Sequence, residues 1–149
     1  KKWKENGMGE RHLCYQIKML SNLIFREMQK EDREEEEEIT PAQGWVIGYL
    51  YENRGRNVLQ RELGEQFHLR RSTVTEMLKL MEKRGYLLRV PSDEDARMKC
   101  LRLTEKAVKQ HERVVARIRA LEERVAKGFT DTLFGQFERI KQNLSAENG

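Results

Sequence analysis

The stretch Arg70-Arg71-Ser72-Thr73-Val74-Thr75-Glu76 gathers two cations, three short hydroxyls and one carboxylate at the expected start of a helix. These groups suit a polyanion better than a bond-making reaction. Open backbone N–H groups and the positive end of the helix dipole attract phosphate, and Ser or Thr hydroxyls hydrogen-bond to phosphate oxygens or base edges. At helical spacing Ser72, Glu76, Lys79 and Lys83 fall opposite the stripe Val74, Leu78 and Met81, so one face is free for a partner. Glu76 on that face would repel phosphate but accept from a cytosine N4 amine. A second cationic group follows the turn-forming run Pro91-Ser92-Asp93-Glu94-Asp95-Ala96, where Arg97 and Lys99 stand. A guanidinium at such a hairpin tip suits a narrow minor groove, and Asp95 is placed to hold Arg97 by a charge-assisted fork.

Enzymatic chemistry finds little support. There is no glycine-rich phosphate loop, no HExxH and no serine elbow. His12, His68 and His111 are scattered, and only His12 lies near a nucleophile, Cys14. Cys14 and Cys100 are far apart with no CxxC, which suggests neither a disulfide framework nor a metal site. The reading is of a non-enzyme without metal or cofactor. No apolar run approaches the roughly 18 residues of a membrane span and no signal-peptide pattern is seen, so the expected place is the cytoplasm, on the nucleoid when DNA is bound.

The elements that position these groups follow from periodicity. Leu13, Ile17, Leu20, Ile24 and Met28 form one helical stripe, which five glutamates, Glu34 to Glu38, then interrupt. Thr40-Pro41-Ala42-Gln43 reads as a capping box opening a helix with Trp45, Val46, Tyr49 and Leu50 inward. Asn57 is expected to cap a short helix carrying Leu59, Leu63 and Phe67, and Arg71 to Arg84 form the next helix, stopped by Gly85. Two helices around a connection of about four residues make a helix-turn-helix. A two-stranded hairpin over Tyr86 to Val90 and Arg97 to Leu103 comes next, followed by a helix capped by Thr104. Gly128 interrupts that helix, and Thr130 opens a last one carrying Leu133, Phe137, Ile140 and Leu144.

In 149 residues, 38% hydrophobic and 36% charged, this predicts a mainly α fold with a small β-hairpin wing. The net charge of +4 is unevenly spread. From Glu27 to Glu38 eight acidic residues face only Lys30 and Arg33, whereas from Arg54 to Lys106 thirteen basic residues outnumber eight acidic ones. Positive charge thus collects where a phosphate backbone would be met.

Leu59-x-x-x-Leu63-Gly64, Arg71-Ser72-Thr73-Val74-Thr75, Leu80-x-Glu82-Lys83-Arg84-Gly85-Tyr86-Leu87, Asp95-Ala96-Arg97 and Leu101-x-Leu103-Thr104 stand in this order. With these motifs the chain resembles the MarR family of winged helix-turn-helix regulators. The resemblance implies one unit over residues 1–149: an N-terminal dimerisation helix and acidic connector over 10–38, a DNA-binding lobe over 40–104, and C-terminal dimerisation helices over 105–149. It further implies a homodimer, joined through Leu13, Ile17, Leu20, Leu133, Phe137, Ile140 and Leu144, that binds a pseudo-palindrome in double-stranded DNA. Arg70, Arg71, Ser72, Thr73, Thr75, Glu76, Lys79, Asp95, Arg97 and Lys99 are the expected contacts. Such proteins are typically repressors released by a small ligand or an oxidant. Tyr15, Trp45 and Tyr49 are candidate pocket residues for a small aromatic or amphipathic effector, and Cys14 is the candidate redox residue. The alternatives are an oxidant-sensing repressor using Cys14 and a winged-helix protein-interaction or architectural module. Arg70 departs from the family pattern, which often places Ser or Asp there as a helix cap.

Overall fold

A computed structural model describes residues 12–30 and 39–146. The glutamate run 34–38 and the first two positions of the 10–38 segment lie outside the described residues. Six helices and three strands are found among those described: α1 (Leu13–Gln29), α2 (Pro41–Glu52), β1 (Val58–Leu59), α3 (Gln60–Phe67), α4 (Arg71–Lys83), β2 (Leu87–Pro91), β3 (Lys99–Leu103), α5 (Glu105–Ala126) and α6 (Thr132–Ser145). The mainly helical fold with a small antiparallel wing is as the periodicity implies.

Local chemistry accounts for the helix ends. The Thr40 hydroxyl accepts from the Gln43 N–H at 3.3 Å, and the Gln43 side chain accepts from the Thr40 N–H at 3.1 Å. Pro41 occupies the first turn, where its missing donor costs nothing. Gly85 takes φ +78°, a left-handed conformation that favours glycine, and lets the Tyr86 N–H donate back to the Met81 carbonyl at 2.9 Å. Thr104 both accepts from the Ala107 N–H at 3.3 Å and donates to the Gly85 carbonyl at 2.6 Å, so the start of α5 is tied to the end of α4. Gly128 (φ +85°) ends the helical run before α6.

The α3–α4 connection is His68-Leu69-Arg70, with His68 in the left-handed region at φ 53°. The Leu69 N–H reaches the Gly64 carbonyl at 3.0 Å, and a Cβ at Gly64 would lie 3.2 Å from the Leu69 carbonyl oxygen. A side chain there would press on the turn that sets the angle between the two helices.

The core joins Val46, Ile47 and Leu50 of α2, Leu63 of α3, Val74, Leu78 and Met81 of α4, and Tyr86, Leu87 and Leu101 of the wing root. Each fully buried Leu, Val or Met contributes about 1.5–3 kcal/mol by leaving water. Trp45 departs from the expectation of a buried face: it is 47% exposed, and Ile47 and Gln43 are buried in its place. A short helix whose buried stripe runs Gln43, Val46, Ile47, Leu50 turns the position between Gln43 and Val46 outward.

The wing differs from a plain hairpin. β3 is the middle strand of a three-stranded antiparallel sheet ordered β1-β3-β2, with Val58 opposite Leu101, Leu59 opposite Cys100, and Leu87 to Pro91 opposite Leu103 to Lys99. Asn57 therefore does not cap α3. Its side chain instead accepts from the Arg102 guanidinium at 2.6 Å, and Leu59 stands at the helix boundary. Alternation puts Cys100 on the face away from Leu101, yet it is buried, because its register partners Leu59 and Val90 cover it from both sides.

The chain divides into two compact units, the first ending at Ala116 and the second beginning at Arg117. The first reaches past residue 104 because the beginning of α5 packs into it: Ala107 is buried, and the His111 ring meets Tyr51 at 4.5 Å between centroids. The second unit contains α6, on which Leu133 and Ile140 are half-buried and Phe134, Phe137 and Leu144 exposed.

Candidate nucleic-acid interface

α4 has the build of a reading helix. Val74, Leu78 and Met81 anchor one face in the core, while Ser72, Glu76, Lys79 and Lys83 are exposed on the other. Arg71 and Thr73 are exposed at its first turn. Arg70 at the cap position makes no side-chain cap hydrogen bond, although its extended backbone (φ −66°, ψ 147°) would suit one. The first amides of α4 are thus left to an outside acceptor, and phosphate is the acceptor a helix start favours.

Thr75 is held more tightly than its type suggests. Its hydroxyl donates to the Arg71 carbonyl at 2.9 Å and accepts from the Gln60 side-chain amide at 3.2 Å. Gln60, the first residue of α3, was not singled out by the sequence reading. A polar side chain on the first turn of the first helix of the motif is the signal that marks it.

At the wing tip the Asp95 carboxylate accepts from the Arg97 backbone N–H at 3.0 Å, and the Asp95 carbonyl accepts from the Met98 N–H at 2.9 Å. The expected grip on the Arg97 guanidinium is not what Asp95 provides. A short carboxylate reaches a backbone N–H two residues on more readily than the far end of a long side chain, so Asp95 shapes the turn. Arg97 and Lys99 remain exposed.

The wing root is braced by arginines. Arg102 is fixed by Asn57, and Arg89 of β2 donates through Nε to Glu82 of α4 at 3.1 Å. Hydrogen bonding from Arg89 holds the Glu82 carboxyl below the usual glutamate range. Beside Asn57, Arg56 reaches Glu62 of α3 at 3.0 Å through Nη1, and the Tyr49 hydroxyl also donates to Glu62. Hydrogen bonding from Arg56 lowers the Glu62 carboxyl, and the bond to Glu62 raises the Tyr49 hydroxyl.

The three aromatics expected to line a pocket have separate surroundings. Tyr49 is half-buried against Phe67, with ring centroids 5.8 Å apart edge to face, while Tyr15 and Trp45 are exposed. Cys14 is an exposed free thiol near the start of α1. α1 has no buried residue, and Leu13, Ile17, Leu20, Leu23 and Phe25 all face solvent in the single chain. Among the described residues no cluster of His, Cys, Asp or Glu could hold a metal ion, and no helix is long and apolar enough to cross a membrane.

Comparison with known proteins agrees with this geometry. A family profile described as "MarR family" matches residues 38–98, from the approach to α2 through the wing turn. The organic hydroperoxide resistance transcriptional regulator of Bacillus subtilis (strain 168) is 33% identical over 113 residues, covering 74% of this chain and 76% of that protein. The crystal structure of the transcription regulator MarR from Oenococcus oeni PSU-1 is 29% identical, with a TM-score of 0.74 over 91% of this chain and 99% of that one. The structure of the Staphylococcus aureus MepR–DNA complex, at 21% identity, shares the fold with a TM-score of 0.76 over 92% of this chain and 99% of that one. The first two of these relatives are transcription regulators rather than enzymes. An anchored helix with an open start, a braced wing and these likenesses place the chain in the MarR family of winged helix-turn-helix, DNA-binding transcriptional regulators.

Proposed function

We propose that the protein is a homodimeric repressor that binds a pseudo-palindromic operator, with α4 of each subunit in the major groove and each wing in the adjacent minor groove. The observation that carries this reading is the two-sidedness of α4: Val74, Leu78 and Met81 fix it in the core while Arg71, Ser72, Thr73, Glu76 and Lys79 face outward. Arg97 and Lys99 on the wing supply a second cationic contact. Dimerisation is supported by the exposed apolar residues of α1 and, in the second unit, by Phe137 and Leu144 of α6, which a lone chain leaves in water. A small aromatic or amphipathic effector, meeting the exposed rings of Tyr15 and Trp45 and the half-buried Tyr49, releases the DNA. The protein acts in the cytoplasm.

The test is binding to the promoter duplexes flanking the protein's own coding region, against random duplexes of equal length. Specific regulation requires a preference of about 10³-fold or more, with half-sites about 10 bp apart and affinity falling steeply with salt. Equal affinity for both duplexes defeats it.

A second reading, release by oxidation of Cys14, is favoured by the exposure of that thiol and by the likeness to a hydroperoxide-resistance regulator. Organic hydroperoxide should then dissociate the wild-type complex and spare Cys14→Ser. Dissociation of neither, or of both alike, removes Cys14 from the mechanism.

A further inference from the structure

The hydrogen-bond chain from Gln60 through Thr75 to Arg71 has only one consistent direction. A threonine hydroxyl has a single hydrogen, and the Arg71 carbonyl at 2.9 Å can only accept it. Toward Gln60 the Thr75 oxygen is therefore an acceptor, so the amide must present its NH2 end, at 3.2 Å. Thr75 has then spent its one donor, and the face of its oxygen toward α3 is occupied as well. Apart from the second acceptor site of that oxygen, its γ-methyl is the group left for a partner outside the protein.

We propose that Gln60 is a positioning residue that fixes how Thr75 meets DNA: with the hydroxyl locked inward, the recognition helix reads the C5-methyl of a thymine through the Thr75 γ-methyl. Apolar contact with that methyl is one of the few ways a short side chain separates thymine from cytosine in the major groove, since cytosine has a hydrogen at the same carbon. Without Gln60, the Thr75 hydroxyl would be held by the Arg71 carbonyl alone and would turn outward more readily, so that the position would read several bases weakly. The locked pair trades that versatility for one preference. This inference rests on the reading of the chain as a sequence-specific DNA binder, and it places a residue of α3 in the specificity of α4.

The experiment is selection of binding sites from a random duplex library with the full-length protein. Each thymine of the enriched site is then replaced in turn by deoxyuridine, which removes only the C5-methyl. The expected result is one position per half-site at which deoxyuridine weakens wild-type binding about fourfold, the worth of one buried methyl-sized group. Thr75→Val, which keeps the methyl, should retain that penalty. Thr75→Ser, which keeps the hydroxyl, should lose it, and Gln60→Leu should reduce it to less than about twofold. Circular dichroism and melting curves establish that each variant is folded. A wild-type protein that enriches a site but shows no deoxyuridine penalty overturns the inference and leaves specific binding intact. A full penalty in Thr75→Ser, its absence in Thr75→Val, or an unchanged penalty in Gln60→Leu likewise overturns it. Failure to enrich any site defeats the proposed function itself.

Discussion

Glu82, one residue from the end of α4, accepts three hydrogen bonds from the single residue Arg89 of β2, from its backbone N–H at 3.3 Å, its Nε at 3.1 Å and its Nη2 at 3.5 Å. A carboxylate that grips both a main-chain and a side-chain donor of one residue restrains translation and rotation together. The reading helix and the wing are in this way fixed to each other by one contact, in addition to the core beneath them. Two parts of one binding surface held at a set angle lose less freedom on binding than two that must be aligned.

Arg89→Ala should cost about 1 kcal/mol of stability, a modest figure because the pair is partly solvated. Its effect on operator affinity should be larger than on stability, since the wing loses its brace. Urea unfolding and fluorescence-anisotropy titrations measured side by side would show the split. Equal small losses in both would mean that the contact does not organise the interface.

Acid should weaken the lobe in a defined way. The Glu82 and Glu62 carboxyls both have folded-state pKa values below the ordinary one, so the unfolded chain takes up protons first as pH falls. The stability that these carboxylates contribute is complete above the ordinary glutamate value near about 4.3 and is lost as pH falls through their depressed values. Glu82→Gln should melt lower than wild type at pH 7, and the gap should narrow on going to pH 3. A constant gap across that range would contradict the assigned shift for Glu82.

Arg97→Ala should leave the fold unchanged, because the wing turn is held by Asp95 through the backbone of residues 97 and 98 and not through the guanidinium. DNA affinity should fall about tenfold, and the slope of log affinity against log salt should shrink by about one if the contact is to phosphate. A lost preference for A·T-rich flanks with an unchanged slope would instead identify a minor-groove contact. Unchanged affinity would favour a protein-interaction role for the wing.

Arg70→Ser supplies the side-chain cap that α4 lacks. Stability should rise by about 0.5–1 kcal/mol, as for other helix caps. DNA affinity should fall, because the new hydroxyl takes an amide offered to phosphate and a cation is removed. Thermal melts and binding assays on the same preparation test the two together, and parallel gains in both would show that the open helix start has no role in binding.

Much of this fold is legible in the sequence, for reasons that differ between elements. The α4 stripe, the Thr40 box, the Gly85 stop and the Thr104 cap are local codes whose partners lie within a few residues. β1 is not legible, because two residues cannot display a period and Val58-Leu59 becomes a strand only by pairing with Leu101 and Cys100, more than forty positions away. The outward-facing but buried Cys100 is hidden for the same cause. On α4 and the wing turn, residue types marked the candidate contacts, yet could not show what their polar atoms are already bonded to. Thr75 stands on α4 and Asp95 in the turn between β2 and β3, with hydrogen bonds that only the folded backbone brings within reach.

The sheet order leaves β2 as an outer strand, and outer strands invite the strands of other molecules to pair with them. Tyr86 and Ser92 use their backbone groups toward β3, so the odd-numbered residues between them point theirs away from it. Along that outer margin the Arg89 N–H is covered by Glu82, and Pro91 has no N–H to offer. The strand is thus blunted against addition: a second chain approaching the wing finds few donors to continue the sheet. Self-association is steered away from the wing, and the protein can reach high concentrations without its wings sticking to one another.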